Sequence, residues 1–135
     1  MYHIVVIAPN QVETPLFQRV RECFTLRKTS VILSFVSETD HILTEIYECK
    51  PDYIFLSASY PPTEQLEKLT SLAQYVRKTR RVVPLIYLID WTNPLSSVLG
   101  TSWSGQVGVL HGYSNNAEII DLFQRLDGWG VTVGQ

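Results

Sequence analysis

The hydroxyls of Ser57 and Ser59, the imidazole of His111 and the carboxylate of Asp90 are the groups in this sequence whose types suit covalent chemistry. Nucleophile, base and orienting acid together make the inventory of a serine hydrolase. Ser57, however, lies in the run Pro-Asp-Tyr-Ile-Phe-Leu-Ser-Ala-Ser-Tyr-Pro over residues 51–61, with no glycine beside it. A hydroxyl outside a strained, glycine-flanked turn lacks the exposure that the reaction needs. Of the other ligand types, His111 can be set beside Asp90, and His41 beside Glu38 or Asp40. Neither grouping has the convergent spacing of a zinc site. His3, His41 and His111 therefore read as hydrogen-bonded structural residues, and no metal or other cofactor is expected. The turn Pro9-Asn10-Gln11-Val12 has no glycines to let backbone amides approach a phosphate, which argues against nucleotide binding.

These groups need a scaffold, and the hydropathy pattern supplies one. Residues 51–61 form a short apolar run framed by prolines, the pattern of a strand buried on both faces. Residues 4–8 and 30–36 are similar runs before it, and residues 82–89 and 107–110 follow it, with Pro84 near the start of the fourth. Between them lie helical periods. Thr14-Pro15 starts one whose apolar face is Leu16, Val20, Cys23 and Phe24, lasting to about residue 27. Glu38, Thr39 and Asp40 cap a second, with inner face Ile42, Leu43, Ile46 and Tyr47, ending near residue 50. After Pro61-Pro62 a third runs to about residue 78. Its apolar side is Leu66, Leu69, Ala73 and Val76, opposite Glu64, Glu67, Lys68, Gln74, Arg77 and Lys78. Asn115 and Glu118 have the spacing of a capping box ahead of a last helix that buries Ile119, Ile120, Phe123 and Leu126.

Residues 90–106 are rich in Ser, Thr, Gly and Asn, so at most one or two helical turns are expected there. Five strands alternating with helical segments imply parallel βαβ units, hence an α/β three-layer αβα sandwich on a five-stranded parallel sheet. In such a sheet the C-terminal ends of central strands border the ligand crevice. Residues 1–127 make one domain, and residues 128–135, with glycines between Trp129, Val131 and Val133, form a tail that reads equally as an edge strand, a contact arm or loose chain.

At 135 residues and 45% hydrophobic composition the chain can bury a substantial core. Its formal charge of −2 gives no broad positive field, so neither nucleic acid nor an anionic membrane is an expected partner. Arg77-Lys78-Thr79-Arg80-Arg81 reads as a helix C-terminus whose cations complement the dipole. The first apolar run has no basic leader and is too short for a signal peptide or a membrane span. Two cysteines at helical positions, Cys23 and Cys49, suggest reduced, core-facing thiols and a cytoplasmic protein.

Residues 4–126 resemble the receiver domain of bacterial response regulators. Pro51-Asp52 opens the third strand as in many receivers, Pro61 stands four residues past the phosphoacceptor position, and Pro84 begins strand four. Gly108-Val109-Leu110-His111 with Tyr113-Ser114-Asn115 resembles the receiver run of lysine, proline and aromatic before the last helix. The resemblance implies strand order 2-1-3-4-5 and a set of functional groups, each of which is replaced here. The magnesium-binding acidic pair corresponds to Ala8 and Pro9, the phosphoacceptor aspartate to Ser57, the switch hydroxyl to Ile89 and the lysine to His111. Aspartyl phosphotransfer is therefore expected to be absent. The pattern of losses is similar to that of pseudo-receiver domains of cyanobacterial clock and other signalling proteins, which act through protein contacts and several of which have a weakened fourth helix.

That resemblance implies a non-enzymatic signalling module whose partner is another signalling protein or a second copy of the chain. Receivers use the face of the fourth helix, fifth strand and last helix for output, which points to Trp91, Trp103, Tyr113 and Trp129 as interface anchors, with Tyr87 and Tyr113 also able simply to cover the sheet. The alternative is a small-molecule sensor similar to cobalamin-binding domains, whose third strand also ends in serine. Its crevice would be lined by Ala8, Pro9, Ser57, Ser59, Ile89 and His111, but the Asp/His/Gly motif expected after strand one is missing.

Overall fold

A computed structural model of the chain describes residues 2–8, 15–36, 39–57, 62–79, 83–89, 107–111 and 114–127. Five strands and four helices follow one another along them: β1 (Tyr2–Ile7), α1 (Pro15–Leu26), β2 (Val31–Val36), α2 (Thr39–Cys49), β3 (Tyr53–Ser57), α3 (Pro62–Thr79), β4 (Leu85–Ile89), β5 (Val107–His111) and α4 (Asn116–Asp127). The sheet is wholly parallel, in the order β2-β1-β3-β4-β5. Residues 90–106 and 128–135 lie outside the described residues, so the expectations of a shortened helix and of a tail segment do too.

Alternation along the strands divides the core between two faces. Ile4 and Val6 of β1 and Tyr53 and Phe55 of β3 pack with α1 and α4, through Leu16, Phe17, Val20, Phe24, Ile119 and Phe123. Val5, Ile7, Ile54, Leu56, Leu85 and Tyr87 pack on the other face with Ile42 and Ile46 of α2 and Leu72 and Tyr75 of α3. The first face is strongly aromatic. Tyr53 meets Phe123 edge-on at 4.8 Å between ring centres, and Phe123 meets Phe24 at 5.3 Å. Edge-to-face contacts of this kind add to the stabilisation from burial alone.

Local signals account for the ends of the elements. In α4 the capping box forms as its spacing predicts: the Glu118 N–H donates to Asn115 Oδ1 at 2.9 Å and the Asn115 N–H donates to Glu118 Oε1 at 3.1 Å. Helices α1 and α2 are each followed by a lysine in the left-handed region, Lys28 at φ 58° and Lys50 at φ 48°. The Thr29 N–H returning to the Phe24 carbonyl at 3.1 Å closes α1.

Three assignments from periodicity need correction. Tyr47 is 38% exposed and not on the inner face of α2, because Ile42 and Ile46 fill that contact while Tyr47 lays its ring edge-on to Tyr75 at 5.2 Å. Lys68 is 3% exposed and not on the solvent side of α3. It shares a stripe with Leu72 and Tyr75 at helical spacing, and a lysine stem is apolar enough to lie along such a stripe. The fourth strand begins at Leu85 and not at residue 82, since Pro84 cannot donate to the ladder and serves only as an acceptor, from the Ile54 N–H at 3.1 Å.

Candidate functional site

The parallel order brings the C-terminal ends of β1, β3, β4 and β5 together at one end of the sheet. Ala8 directly follows β1, and its N–H donates to the Val36 carbonyl at 3.2 Å. Ser57 is the last residue of β3, 7% exposed, in register with Leu88. Ile89 ends β4 in register with His111, which ends β5. Ala8, Ser57, Ile89 and His111, four of the five positions expected to stand where receivers carry their functional groups, therefore share one rim. Pro9 lies outside the described residues, as do Ser59, Asp90, Trp91, Trp103, Tyr113 and Trp129.

The chemistry of this rim follows from residue type. Ala8 has no side-chain oxygen for a hard cation, and Ser57 offers a hydroxyl where an acyl phosphate would need a carboxylate. Ser57 and His111 belong to strands separated by β4, two strand spacings or about 10 Å apart. Among the described residues, no group of three His, Cys, Asp or Glu side chains could hold a metal ion.

His3 is hydrogen-bonded as expected, in a polar cluster away from this rim whose members the sequence does not bring together. His3 Nε2 is 2.9 Å from Ser34 Oγ, and the Cys49 thiol reaches the same hydroxyl at 3.9 Å and Glu45 Oε1 at 3.5 Å. Burial pushes the Cys49 thiol up; the Ser34 hydrogen bond lowers it in part, and the Glu45 and Glu48 carboxylates raise it again. A thiol held protonated in this way is a poor nucleophile. Cys23 is likewise pushed up, by burial and then by Glu22. Both cysteines are free thiols, as expected, with Cys23 buried and Cys49 half-buried. The parallel pairing of β1 with β2 brings His3 near Ser34, and α2 adds Cys49 and Glu45, four residues apart on one helix.

The start of α4 is fastened to α1. Arg19 Nε donates to the Ser114 carbonyl at 2.7 Å, Asn116 Nδ2 donates to Glu22 Oε2 at 3.4 Å, and the Cys23 thiol reaches the Asn116 carbonyl at 3.7 Å. Beside this junction a groove of about 440 Å³ runs along β5 and α4, lined by Val109, Leu110, Asn115, Glu118, Asp121 and Leu122, among others. It lies on β5 and the last helix, two of the three elements expected to form an output face. No helix among the described residues is long and apolar enough to cross a membrane.

No protein-family model and no curated protein matches the sequence. Solved structures do match the fold. The chemotaxis response regulator CheY4 of Vibrio cholerae is 15% identical, with a TM-score of 0.63, 93% of this chain and 98% of that chain being covered. The pseudo-receiver domain of the CikA protein is 19% identical, with a TM-score of 0.52 over 93% of this chain and 97% of that one. The Francisella novicida lysine decarboxylase LdcF is also similar, at 9% identity and a TM-score of 0.63, over 98% of this chain but 18% of that chain. The same layout thus occurs inside a large enzyme, and layout by itself assigns no activity. What the likeness establishes is the fold: a five-stranded parallel sheet in the order 2-1-3-4-5 with flanking helices, as in CheY-like receiver domains, pseudo-receivers among them.

Proposed function

We propose that this chain is a receiver-like signalling module that works by protein contact and not by aspartyl phosphotransfer. The observation that carries the reading is Ser57, buried at the C-terminal end of β3, where receivers place the phosphoacceptor. Ala8 at the neighbouring rim position adds no metal-binding oxygen. On this reading residues 1–127 form the module, the pocket Ala8, Pro9, Ser57, Ile89 and His111 is inert, and the chain is a cytoplasmic non-enzyme with no nucleic-acid partner. Its partner is another signalling protein, bound on the side of the sheet where the β5/α4 groove lies, with Trp91, Trp103, Tyr113 and Trp129 as anchors.

Incubation with acetyl phosphate and Mg²⁺ tests the inert pocket. No covalent phosphate is expected by mass spectrometry, and labelling abolished by Ser57→Ala overturns the reading. Affinity capture from native lysate tests the surface: the specific partner should be lost with a Trp91→Ala/Trp103→Ala double substitution. Retention of that partner places the interface elsewhere.

A further inference from the structure

Strand β2 is at the edge of the sheet, and its outer side has no partner among the described residues. At its inner side the Tyr2 N–H donates to the Ser30 carbonyl at 2.9 Å and the Ala8 N–H to the Val36 carbonyl at 3.2 Å. In a parallel ladder every second residue turns its main-chain groups to the neighbour. Ser30, Ile32, Ser34 and Val36 therefore face β1, and Val31, Leu33 and Phe35 turn their N–H and C=O groups outward. The side chains of these last three pack against the α1/α4 core yet stay partly exposed. On the opposite face Ile32 is 44% exposed. Natural edge strands are commonly guarded by a lysine, a proline, a bulge or extreme shortness. The sequence of β2, Val-Ile-Leu-Ser-Phe-Val, has no charge and no proline in 6 residues. The opposite edge, β5, is shorter and interrupted by Gly108.

We infer that two copies of this chain pair through their β2 edges, antiparallel about a two-fold axis at Leu33, into one sheet continuous across both. An isologous contact requires a patch complementary to itself, and this strand has one. Centred on Leu33, each Leu33 opposes its own counterpart and each Val31 opposes Phe35 of the second copy. Opposed residues then lie on the same face, and all three outward-facing residues exchange main-chain hydrogen bonds. The apolar pairs Leu33–Leu33 and Val31–Phe35 complete the burial of side chains left half-covered in the single copy. Centring on Ser34 instead would leave Val31 opposite Ser37, beyond the strand.

Charge selects the direction. Arg27 and Lys28 precede the strand in sequence, while Glu38 and Asp40 follow it. Antiparallel pairing brings the basic end of each copy to the acidic end of the other, with Lys28 and Glu38 at opposed sequence positions. Parallel pairing would align like charges, which is unfavourable. Because β2 and β5 are opposite edges, such a dimer leaves the β5/α4 groove of both copies open. The inference is independent of the signalling role proposed above.

Sedimentation equilibrium of the full chain over a wide concentration range tests it. A reversible monomer–dimer equilibrium is expected. Ile32→Lys should weaken it at least tenfold, since the two lysines become diagonal neighbours across the axis, whereas Ile32→Thr should leave a dimer. Circular dichroism checks that both variants remain folded. Leu33→Cys reads the register directly: a Cα separation of about 5.5 Å in a hydrogen-bonded pair lies within the roughly 4.4–6.8 Å that a disulfide spans, so oxidation should link the two copies at residue 33. A chain monomeric at every concentration overturns the inference; it would leave the edge to residues 128–135 or to an extended peptide of another protein. So does a dimer indifferent to Ile32→Lys, or one that Leu33→Cys does not cross-link.

Discussion

Asp52 holds His3 by two hydrogen bonds: its backbone N–H donates to the His3 carbonyl at 2.7 Å, and its carboxylate Oδ2 accepts from the His3 N–H at 2.8 Å. The first is a main-chain bond that any residue but proline could make. The second needs a side-chain acceptor at residue 52, and it satisfies a backbone donor at the start of β1. The pair therefore sets the start of the β1–β3 ladder that places Ser57 beside Ala8.

Asp52→Ala is expected to lower stability by about 1–3 kcal/mol, because a half-buried backbone donor loses its partner. Asp52→Asn keeps an acceptor oxygen and should cost less than half as much. Urea denaturation midpoints at unchanged m-value measure both.

At Gly108 strand β5 packs closely against α4. A Cβ added there would stand 2.5 Å from Leu122 Cδ1 and 3.4 Å from its Cγ. Leu122 is itself 1% exposed and has little room to retreat. Gly108→Ala should therefore destabilise by roughly 1–3 kcal/mol through overpacking. Leu122→Ala alone should cost about 2–5 kcal/mol from the cavity it leaves. The double variant should be more stable than the sum of the two losses implies, since each change makes room for the other. A thermal or urea double-mutant cycle reads that coupling, and additivity would show that the contact is not the constraint.

Much of this architecture was legible in the residues. Five apolar runs separated by helical periods specified the sheet, and Asn115 with Glu118 specified the start of α4 because a capping box is a local arrangement with local spacing. Leu16, Val20, Cys23 and Phe24 are all buried as their spacing required. The rotation of α3 was not legible. Hydropathy assigns lysine to solvent, but Lys68 is buried beside Leu72 and Tyr75, and nothing local announces that a flexible stem will be covered. Of the candidate site, the positions of Ala8, Ser57, Ile89 and His111 followed from strand order, while the His3–Ser34–Cys49 contacts depended on register across the sheet.

Lys28 and Lys50 end α1 and α2 in a backbone conformation that suits glycine. An L-residue with a Cβ is strained there by about 1–2 kcal/mol, and glycine removes the strain at the cost of greater freedom in the unfolded chain. Lys28→Gly and Lys50→Gly are each expected to raise stability by up to about 1 kcal/mol. Lys28→Ala and Lys50→Ala should bring no such gain, since alanine keeps the Cβ. Thermal melts of the four variants separate the backbone effect from loss of the charge.

Tyr87 is 2% exposed among Leu85, Leu56 and Ile54, and its hydroxyl is buried with no hydrogen-bond partner among the described residues. Burial pushes its pKa up to about 12. A donor stranded in this way costs the folded state its hydration, so Tyr87→Phe is expected to be neutral or to stabilise by about 1 kcal/mol, where most core changes destabilise. The pH dependence has a definite sign. The folded protein keeps the phenol protonated where the unfolded chain, near the ordinary value of 10.0, releases the proton. This group's contribution is therefore intact below pH 10 and is lost as pH rises toward about 12. Tyr87→Phe should remove that part of the alkaline fall in stability. Urea midpoints at pH 8, 10 and 11 for both proteins measure the difference, and parallel pH slopes for the two would mean that the hydroxyl is solvated in solution.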